Sequence, residues 1–380
     1  MKVQTSFCKN KQWSIPLRTE LDSANTLLLC FYDPQLDVAE ALQDLTKSFP
    51  RSQIVGCSTA GEIYDTNVMN QSLTLAIVKF ESTSLKVTAM DIADGKDSFS
   101  VGQKIGEQLK APDLRYIFIL SDGLNVNGTD LSLGMTSAVS NLYRPVVVSG
   151  GLSADGSRFQ STSTAIGSQI QSKQIVAVGL FGSLIEIGTG SFGGWDVFGP
   201  KRKITLSSGN ILKTIDDQPA LALYKTYLGE QSAKLPASAL LFPLAISDAS
   251  RSNIVRTVLA VDEQTQTMTF AGDIPQGATV QLMRANFTGL IKGAAMAGQT
   301  AAAQISVSEQ ESLAIAISCV GRRLVLGERI EDETEALKDV LPANTQIVGF
   351  YSYGELSPSG QKPCELHNQT MTVSVLQETG

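Results

Sequence analysis

The chain has 380 residues, 43% of them hydrophobic and 18% charged, and this composition indicates a folded protein long enough for two or three domains. Its 30 basic and 37 acidic side chains give a net charge of −7, which disfavours nucleic acid and anionic membrane surfaces as partners. A single histidine, His367, excludes metal sites built from several histidines, and we expect neither a metal nor a cofactor.

The cysteines and the apolar segments bear on location. Five cysteines, an odd number without a C-x-x-C pair, are typical of reduced thiols. The apolar stretches are far shorter than the roughly 20 residues of a membrane-spanning helix. No apolar segment follows the N-terminal lysines, so no signal peptide is indicated. We therefore expect a soluble cytoplasmic protein without a membrane partner.

In chain order, short apolar runs alternate with amphipathic segments, a pattern that predicts strands and helices. We expect the strands 73–80 and 85–91 to pair with each other. Thr129 is expected to cap the helix that follows the turn-rich segment 121–128. The predicted strands of the first half are 27–31, 53–55, 73–80, 85–91, 116–120, 145–149 and 175–181, and its predicted helices are 37–49, 100–110 and 129–142.

Turn-forming residues at 207–210, followed by Asp217 and Pro219, indicate a junction between two domains. The first domain is expected to cover residues 1–215 and the second residues 216–380. Beyond the junction, the predicted strands are 239–246, 254–261, 267–271, 278–284, 313–319 and 347–350, and the predicted helices are 219–229, 288–303 and 331–340.

An internal repeat gives the clearest information on architecture. Residues 54–63 align with residues 347–356 with five identities, and each segment is preceded by a strand and a helix and followed by a similar strand. The sequence therefore predicts a mixed α/β (α+β) fold of two related β-α halves. Their mixed sheets would pack together in α-β-β-α layers, with the glycine-rich loops facing one cleft.

The same motifs carry a family resemblance. Segments 55–63, 121–123, 150–156 and 178–181 resemble the FIST N-terminal domain, and segments 218–229, 349–355 and 367–370 resemble its partner, the FIST_C domain. The resemblance implies a sensory module of intracellular signal transduction that binds a small ligand, with amino acids proposed as ligands. It also implies a signalling protein as partner, of unknown identity.

Two loops at equivalent places in the repeat carry the first candidate ligand contacts. Small residues after a strand leave backbone amides and hydroxyl groups free for a ligand carboxylate. Glu62 and Glu355 are candidates for binding an ammonium group; alternatively, both only cap amides in tight turns. The candidates are Cys57, Ser58, Thr59 and Glu62 in the first loop, and Tyr353 and Glu355 in the second.

Further candidates lie in loops rich in glycine and short polar side chains. Asp122 and Asn125 could contact a ligand, and the alternative is an Asx-turn leading into a capped helix. Arg158 or Arg284 could bind a ligand carboxylate through two parallel hydrogen bonds, although a surface salt bridge is the commoner role of such residues. The remaining candidates are Gly150, Gly151, Asp155 and His367.

Two other functions fit parts of the sequence. Segments 56–61 and 151–156 read G-x-S-x-x-G, one residue longer than the turn that carries the serine of many hydrolases. Cys57 or Ser58 would need His367 as a base. A protein-interaction scaffold without a ligand is the third hypothesis. The duplicated loops favour ligand binding, so we expect no catalytic residues; the oligomeric state is not determined by these patterns.

Overall fold

The computed structural model describes residues 1–248, 254–307, 309–360 and 362–379. The predicted mixed α+β class is confirmed. The helices are α1 Ala39–Ser48, α2 Ser98–Leu109, α3 Gly128–Val139, α4 Ala220–Leu228, α5 Phe287–Ala302, α6 Val320–Leu326 and α7 Glu331–Lys338. The strands are β1 Lys2–Lys9, β2 Gln12–Trp13, β3 Thr26–Tyr32, β4 Gln53–Ser58, β5 Glu62–Tyr64, β6 Asn67–Met69, β7 Leu73–Lys79, β8 Ser84–Asp91, β9 Leu114–Ser121, β10 Val147–Leu152, β11 Thr164–Ile166, β12 Gln169–Gln171, β13 Gln174–Phe181, β14 Ile185–Phe192, β15 Asp196–Ser208, β16 Ile211–Ile215, β17 Gln218–Pro219, β18 Leu244–Ser247, β19 Ile254–Arg256, β20 Val258–Asp262, β21 Thr267–Phe270, β22 Thr279–Arg284, β23 Ser312–Cys319, β24 Thr345–Ser352, β25 Gly354–Pro358, β26 Cys364–His367 and β27 Met371–Glu378.

The repeat seen in the sequence has a third copy in the structure. Each copy contains two parallel strands joined by a helical crossover, then a short hairpin, then a strand antiparallel to the first. The three units are β3-α1-β4-β5-β6-β7, β9-α3-β10-β11-β12-β13 and β23-α6-α7-β24-β25-β26-β27. A glycine occupies the same register position in each second strand: Gly56 opposite Cys30, Gly150 opposite Ile119, and Gly349 opposite Ala316.

The hairpins tie the three units into a closed cycle. The hairpin of the first unit pairs through β5 with β24 of the third, that of the second through β11 with β4 of the first, and that of the third through β25 with β10 of the second. The resulting sheets have the orders β12-β11-β4-β3-β7-β1-β2, β26-β25-β10-β9-β13-β8 and β14-β27-β23-β24-β5-β6. Each sheet therefore contains strands from two units.

One apolar core lies between the three sheets, and helices cover their outer faces. Phe31, Leu120 and Ile317, from the first strands of the three units, all belong to the interior core. On the outside, α1 buries Leu42 and Leu45 against the first sheet, because these residues share one face of the helix. Helices α2 and α3 cover the second sheet and α5 and α7 the third. A section through two sheets therefore shows the expected α-β-β-α layers.

Residues 196–284 form an insertion between β14 and α5 with a core of its own. Its strands follow the order β19-β18-β22-β15-β16-β21-β20, and β17 pairs with β16. Within β15 the register shifts between Phe198 and Arg202, at Gly199-Pro200, as expected for a bulge that accommodates proline. The expected domain division at residue 215 falls at the end of β16, within this insertion.

Three local expectations are wrong. The predicted strand 239–246 begins with a 3₁₀ helix, Ala237–Leu241, and only Leu244–Ser247 is a strand. The strands β7 and β8 do not pair: β7 lies between β1 and β3 in the first sheet, and β8 pairs with β13 in the second. The cap of α3 is Asn127 and not Thr129, because the Asn127 side-chain oxygen accepts the amides of Thr129 and Asp130 at 3.0 and 3.3 Å. Within the described parts of the chain, no helix combines the length and apolarity needed to span a bilayer.

Candidate functional site

The loops that follow β4, β10 and β24 meet at one end of the three-unit core. Each loop donates one backbone N–H to a carbonyl of another, and the three bonds close a ring. Backbone hydrogen bonds therefore hold these loops against each other. The bonds run from Ala60 N to Tyr351 O at 2.8 Å, from Ala154 N to Ser58 O at 2.9 Å, and from Tyr353 N to Leu152 O at 3.3 Å.

Side chains pack the space that the ring surrounds. Cys57 and Phe350 belong to the interior core, and the rings of Phe350 and Phe31 are 4.7 Å apart. Gly151 takes the third equivalent position, where a Cβ atom would lie 3.0 Å from the Phe350 ring. Burial raises the pKa of the Cys57 thiol well above its usual value, with smaller contributions from Cys30 and Glu62. Cys57 is therefore a neutral thiol at physiological pH.

Glu62 links the first loop to the strand that follows its hairpin. Its carboxylate accepts hydrogen bonds from the hydroxyls of Thr59 at 2.6 Å and Ser72 at 2.7 Å, and its side chain is fully buried. Burial raises the pKa of Glu62 to about 7, although the two hydroxyls and the guanidinium of Arg323 favour the charged form. Both donors belong to the protein itself, but they are hydroxyl groups and not the backbone amides that the capping alternative expects.

Glu355 occupies the equivalent position in the third unit. Its carboxylate accepts the hydroxyl of Ser352 at 2.6 Å, and the amide and hydroxyl of Thr370 at 3.2 and 3.0 Å. Burial raises the pKa of Glu355 to about 8 despite these donors. In the second unit Thr164 takes the same position and donates to Gln174 at 3.1 Å. A side-chain link between hairpin and strand is thus present in all three units, and two of the links use a carboxyl group.

We expect the pair Glu62 and Glu355 to make the protein less stable as pH rises from about 5 to about 8. Their pKa values are higher in the folded than in the unfolded chain, so the folded chain binds more protons in this range and the free energy of unfolding falls. At about 1.4 kcal/mol per pKa unit the two groups together account for a fall of several kcal/mol, and the double variant Glu62→Gln/Glu355→Gln should remove most of it. Urea denaturation at pH 5, 6, 7 and 8 measures how the free energy of unfolding changes with pH in both proteins.

The difference between wild type and variant is the quantity to compare. Burial lowers the pKa of His367, so His367 changes stability in the opposite direction over part of the same range. Glu230→Gln, at an exposed carboxylate, is the control. An unchanged pH slope in the double variant would show that the two carboxyl groups are not neutralised by burial.

Asp122 organises the turn between β9 and α3. Its carboxylate accepts the amides of Leu124 and Asn125 at 2.9 and 2.6 Å and the hydroxyl of Thr162 at 3.0 Å, and only 1% of it is exposed. These contacts form the Asx-turn that was predicted as the alternative to a ligand contact. Asn125 is half-buried and faces a groove described below.

Asp155 and Tyr353 join the second and third units. The carboxylate of Asp155 accepts three backbone amides and the hydroxyl of Tyr353, and these donors outweigh burial and lower the pKa of Asp155. Arg158 Nε lies 3.9 Å from Asp155 Oδ2. Arg284 is exposed at the end of β22 in the insertion, opposite Asp196. The structure therefore places Arg158 beside the loops and Arg284 in the insertion.

Ser58 and His367 lie in separate hydrogen-bond networks. The hydroxyl of Ser58 accepts the amide of Ser163 at 3.0 Å, while Nε2 of His367 bonds the carbonyl of Ser357 at 3.0 Å. His367 ends β26 and pairs with Glu355 of β25, on the outer edge of the second sheet. Each group thus has a structural hydrogen bond of its own.

A wide polar groove lies between the three-unit core and the insertion. Its volume is about 720 Å³. The core contributes the segment before α2 and the turn before α3, and the insertion contributes the β15–β16 turn and Asp273. Asn125 is the predicted candidate found here. The polar side chains that line the groove are Asp94, Lys96, Asn125, Asn127, Asp130, Ser208, Asn210 and Asp273.

Two carboxylates face each other in this groove. Burial raises the pKa of Asp130, and the negative charge of Asp273 raises it further. Asp273 accepts a hydrogen bond from the Asn127 amide at 2.9 Å, which also connects insertion to core. Sequence reasoning missed Asp130 and Asp273, because these residues come from segments that are adjacent only in the folded chain.

The protein has a mixed α+β fold with a polar groove beside its insertion, and comparison gives its family. Models of the FIST N domain and the FIST C domain match residues 26–218 and 220–358, so the chain belongs to the FIST family. FIST domains are sensory domains of signal transduction that are thought to bind small ligands.

Comparison with individual proteins adds little. A cyanuric acid hydrolase from A. caulinodans is similar over 99% of this chain and 98% of its own, at 9% identity and a TM-score of 0.36. A likeness of that degree carries no argument about fold or activity. No curated protein is significantly similar in sequence.

Proposed function

We propose that this protein is a sensory module that binds an α-amino acid, or another small molecule with one positive and one negative group, in the groove between core and insertion. The observation that carries the proposal is the facing pair Asp130 and Asp273 beside Lys96, in a groove of about 720 Å³. That volume lies within the usual range for small-molecule sites.

The charges in the groove suit such a ligand. Two carboxylates that repel each other bind an ammonium group well, because the cation relieves their repulsion. Lys96 lines the same groove and supplies a positive charge for the ligand carboxylate. Asn125 and Asn210 add amide groups that donate and accept hydrogen bonds.

A ligand in this groove would contact core and insertion together. Its binding free energy would favour the arrangement of the two parts that places both sets of contacts around it. A signalling protein would then recognise that arrangement. We also propose a cytoplasmic location, supported by five cysteines that are all buried and unpaired.

We propose structural roles, and no catalysis, for the residues of the glycine-rich loops. Ionisation of Cys57 is opposed by burial, and a buried neutral thiol is a weak nucleophile. The hydroxyl of Ser58 and the ring of His367 each serve a separate backbone group. These contacts support structural roles over the hydrolase alternative.

Asp130→Asn should weaken ligand binding and at the same time stabilise the ligand-free protein. The ammonium loses a charged partner, which we expect to reduce affinity at least tenfold. Removing the repulsion from Asp273 should raise the free energy of unfolding by about 0.5 kcal/mol at pH 7. Thermal-shift measurements with the standard amino acids at about 10 mM, followed by calorimetry, measure both the affinity and the change in stability. A ligand at 100 times its Kd raises the free energy of unfolding by about 2.7 kcal/mol.

Matched probes and variants separate this site from others. If alanine binds, ethylamine and propionate, each lacking one charged group, should bind much more weakly. Asp113→Asn, at an exposed carboxylate outside the groove, should bind as wild type does. Ser208→Trp should block the groove. The proposal is wrong if no amino acid stabilises the protein, or if Asp130→Asn and Ser208→Trp both bind normally.

A further inference from the structure

A second cavity, remote in sequence from the groove, lies between the β1–β2 hairpin and α1. Its volume is about 270 Å³. Its apolar lining side chains are buried or half-buried and form the floor, whereas its charged lining side chains are exposed and stand at the mouth. Trp13, Val38 and Leu73 are among the floor residues, and all three also contribute to the apolar cluster under α1.

The mouth of this cavity is acidic. Asp37, Glu40 and Asp44 line it against a single lysine, Lys11. Lys11 Nζ lies 2.5 Å from Glu40 Oε2, but both side chains are mostly exposed, at 81% and 62%. An ion pair this exposed contributes little free energy, so a competing cation can displace Lys11 from Glu40.

Floor and mouth together select one class of ligand. An apolar floor that includes an indole favours a flat hydrophobic group, and the excess of carboxylates favours a positive charge beside it. The volume lies slightly below the usual range for drug-sized ligands, so it fits one ring with a short chain and not a nucleotide. We propose that this cavity binds a small hydrophobic amine, with the ring against Trp13 and the ammonium at Glu40.

The test compares two probes of similar size and opposite charge. Phenethylamine should bind with a Kd below about 10 mM, measured by calorimetry. The Kd of 3-phenylpropionate should be at least tenfold higher. Glu40→Gln should weaken phenethylamine about fivefold, whereas Lys11→Gln, which frees Glu40, should strengthen it. Ala41→Trp, which fills the cavity from α1, should abolish binding.

Matched controls keep the outcome clear. Glu107 pairs with Lys110 on the surface as Glu40 pairs with Lys11, so Glu107→Gln should leave phenethylamine binding unchanged. Asp130→Asn should also leave it unchanged, since that residue belongs to the other site. Equal binding of the two probes, or no binding of phenethylamine, overturns the proposal. If Ala41→Trp fails to fold, a loss of affinity in both Glu40→Gln and Lys11→Gln overturns it equally.

Discussion

Gly349→Ala is expected to lower the free energy of unfolding by about 3 kcal/mol or more. A Cβ atom at Gly349 would collide with the backbone carbonyl of Ala316 on the neighbouring parallel strand, and backbone inside a sheet cannot rotate away as a side chain can. Gly56 and Gly150 stand in the same position against Cys30 and Ile119, with the same collision. The three glycines therefore allow each parallel pair to approach closely.

Gly95→Ala is the matched control. Gly95, like Gly349, lies outside the left-handed backbone region, but the nearest atom to a Cβ there is 3.4 Å away. We expect Gly95→Ala to change the free energy of unfolding by less than about 1 kcal/mol. Urea denaturation at constant pH measures both variants. Similar small effects in the two would mean that the β23–β24 pair relaxes to admit a methyl group, against the close packing described above.

Arg322→Met is expected to destabilise the protein by about 3–5 kcal/mol. Arg322 and Glu333 are both fully buried, with Nη2 2.6 Å from Oε2. The guanidinium also donates to the carbonyls of Gly193 and Leu290. Methionine fills much of the same volume but leaves the Glu333 charge and two carbonyls without their donor. The cost follows from the unpaired buried groups, not from lost apolar area.

A second variant separates the charge from the packing. Arg322→Met/Glu333→Gln removes both charges and should recover part of the lost stability, because the remaining amide still accepts the hydroxyls of Ser318 and Tyr351. Arg329→Met, which breaks the exposed pair with Asp332, should cost less than about 1 kcal/mol. Equal losses for Arg322→Met and Arg329→Met would contradict a special role for the buried pair.

Local patterns in the sequence predicted most strands and helices of the three units. Runs such as residues 27–32 and 116–120 are buried on both sides and apolar throughout, and the α1 segment repeats its apolar residues at helical spacing. Pairing was less predictable. The strands β7 and β8 are neighbours in the chain, and the prediction that they pair failed because they belong to different sheets.

In the sequence, the repeat was visible in the first and third units and hidden in the second. Glycine and glutamate recur at 56–62 and 349–355, where the same steric and hydrogen-bond demands act. In the second unit Thr164 replaces the glutamate and a longer loop precedes it, so the motif is lost while the position is kept. Equivalence there depends on strand pairing, which sequence comparison within one chain does not reveal.

The candidate ligand contacts were also predictable only in part. Small and polar residues after strands identified the loops, yet the same residues serve turns and caps: Asp122, Asp155 and Glu355 use their oxygens on the protein's own donors. The two cavities combine distant segments. Asp130 meets Asp273, and Trp13 meets α1, only after folding.

The sequence by itself determined that an acidic chain of 380 residues with one histidine forms a folded protein without a multi-histidine metal site, built on repeated β-α units. Only the tertiary structure decided that a third unit exists, that hairpins close the three into a cycle, and which polar side chains of core and insertion line one groove. The physical reason is the separation along the chain of the residues that interact. Apolar periodicity reflects neighbouring residues, whereas strand pairing between units, burial of carboxyl groups and cavities depend on contacts between residues up to hundreds of positions apart.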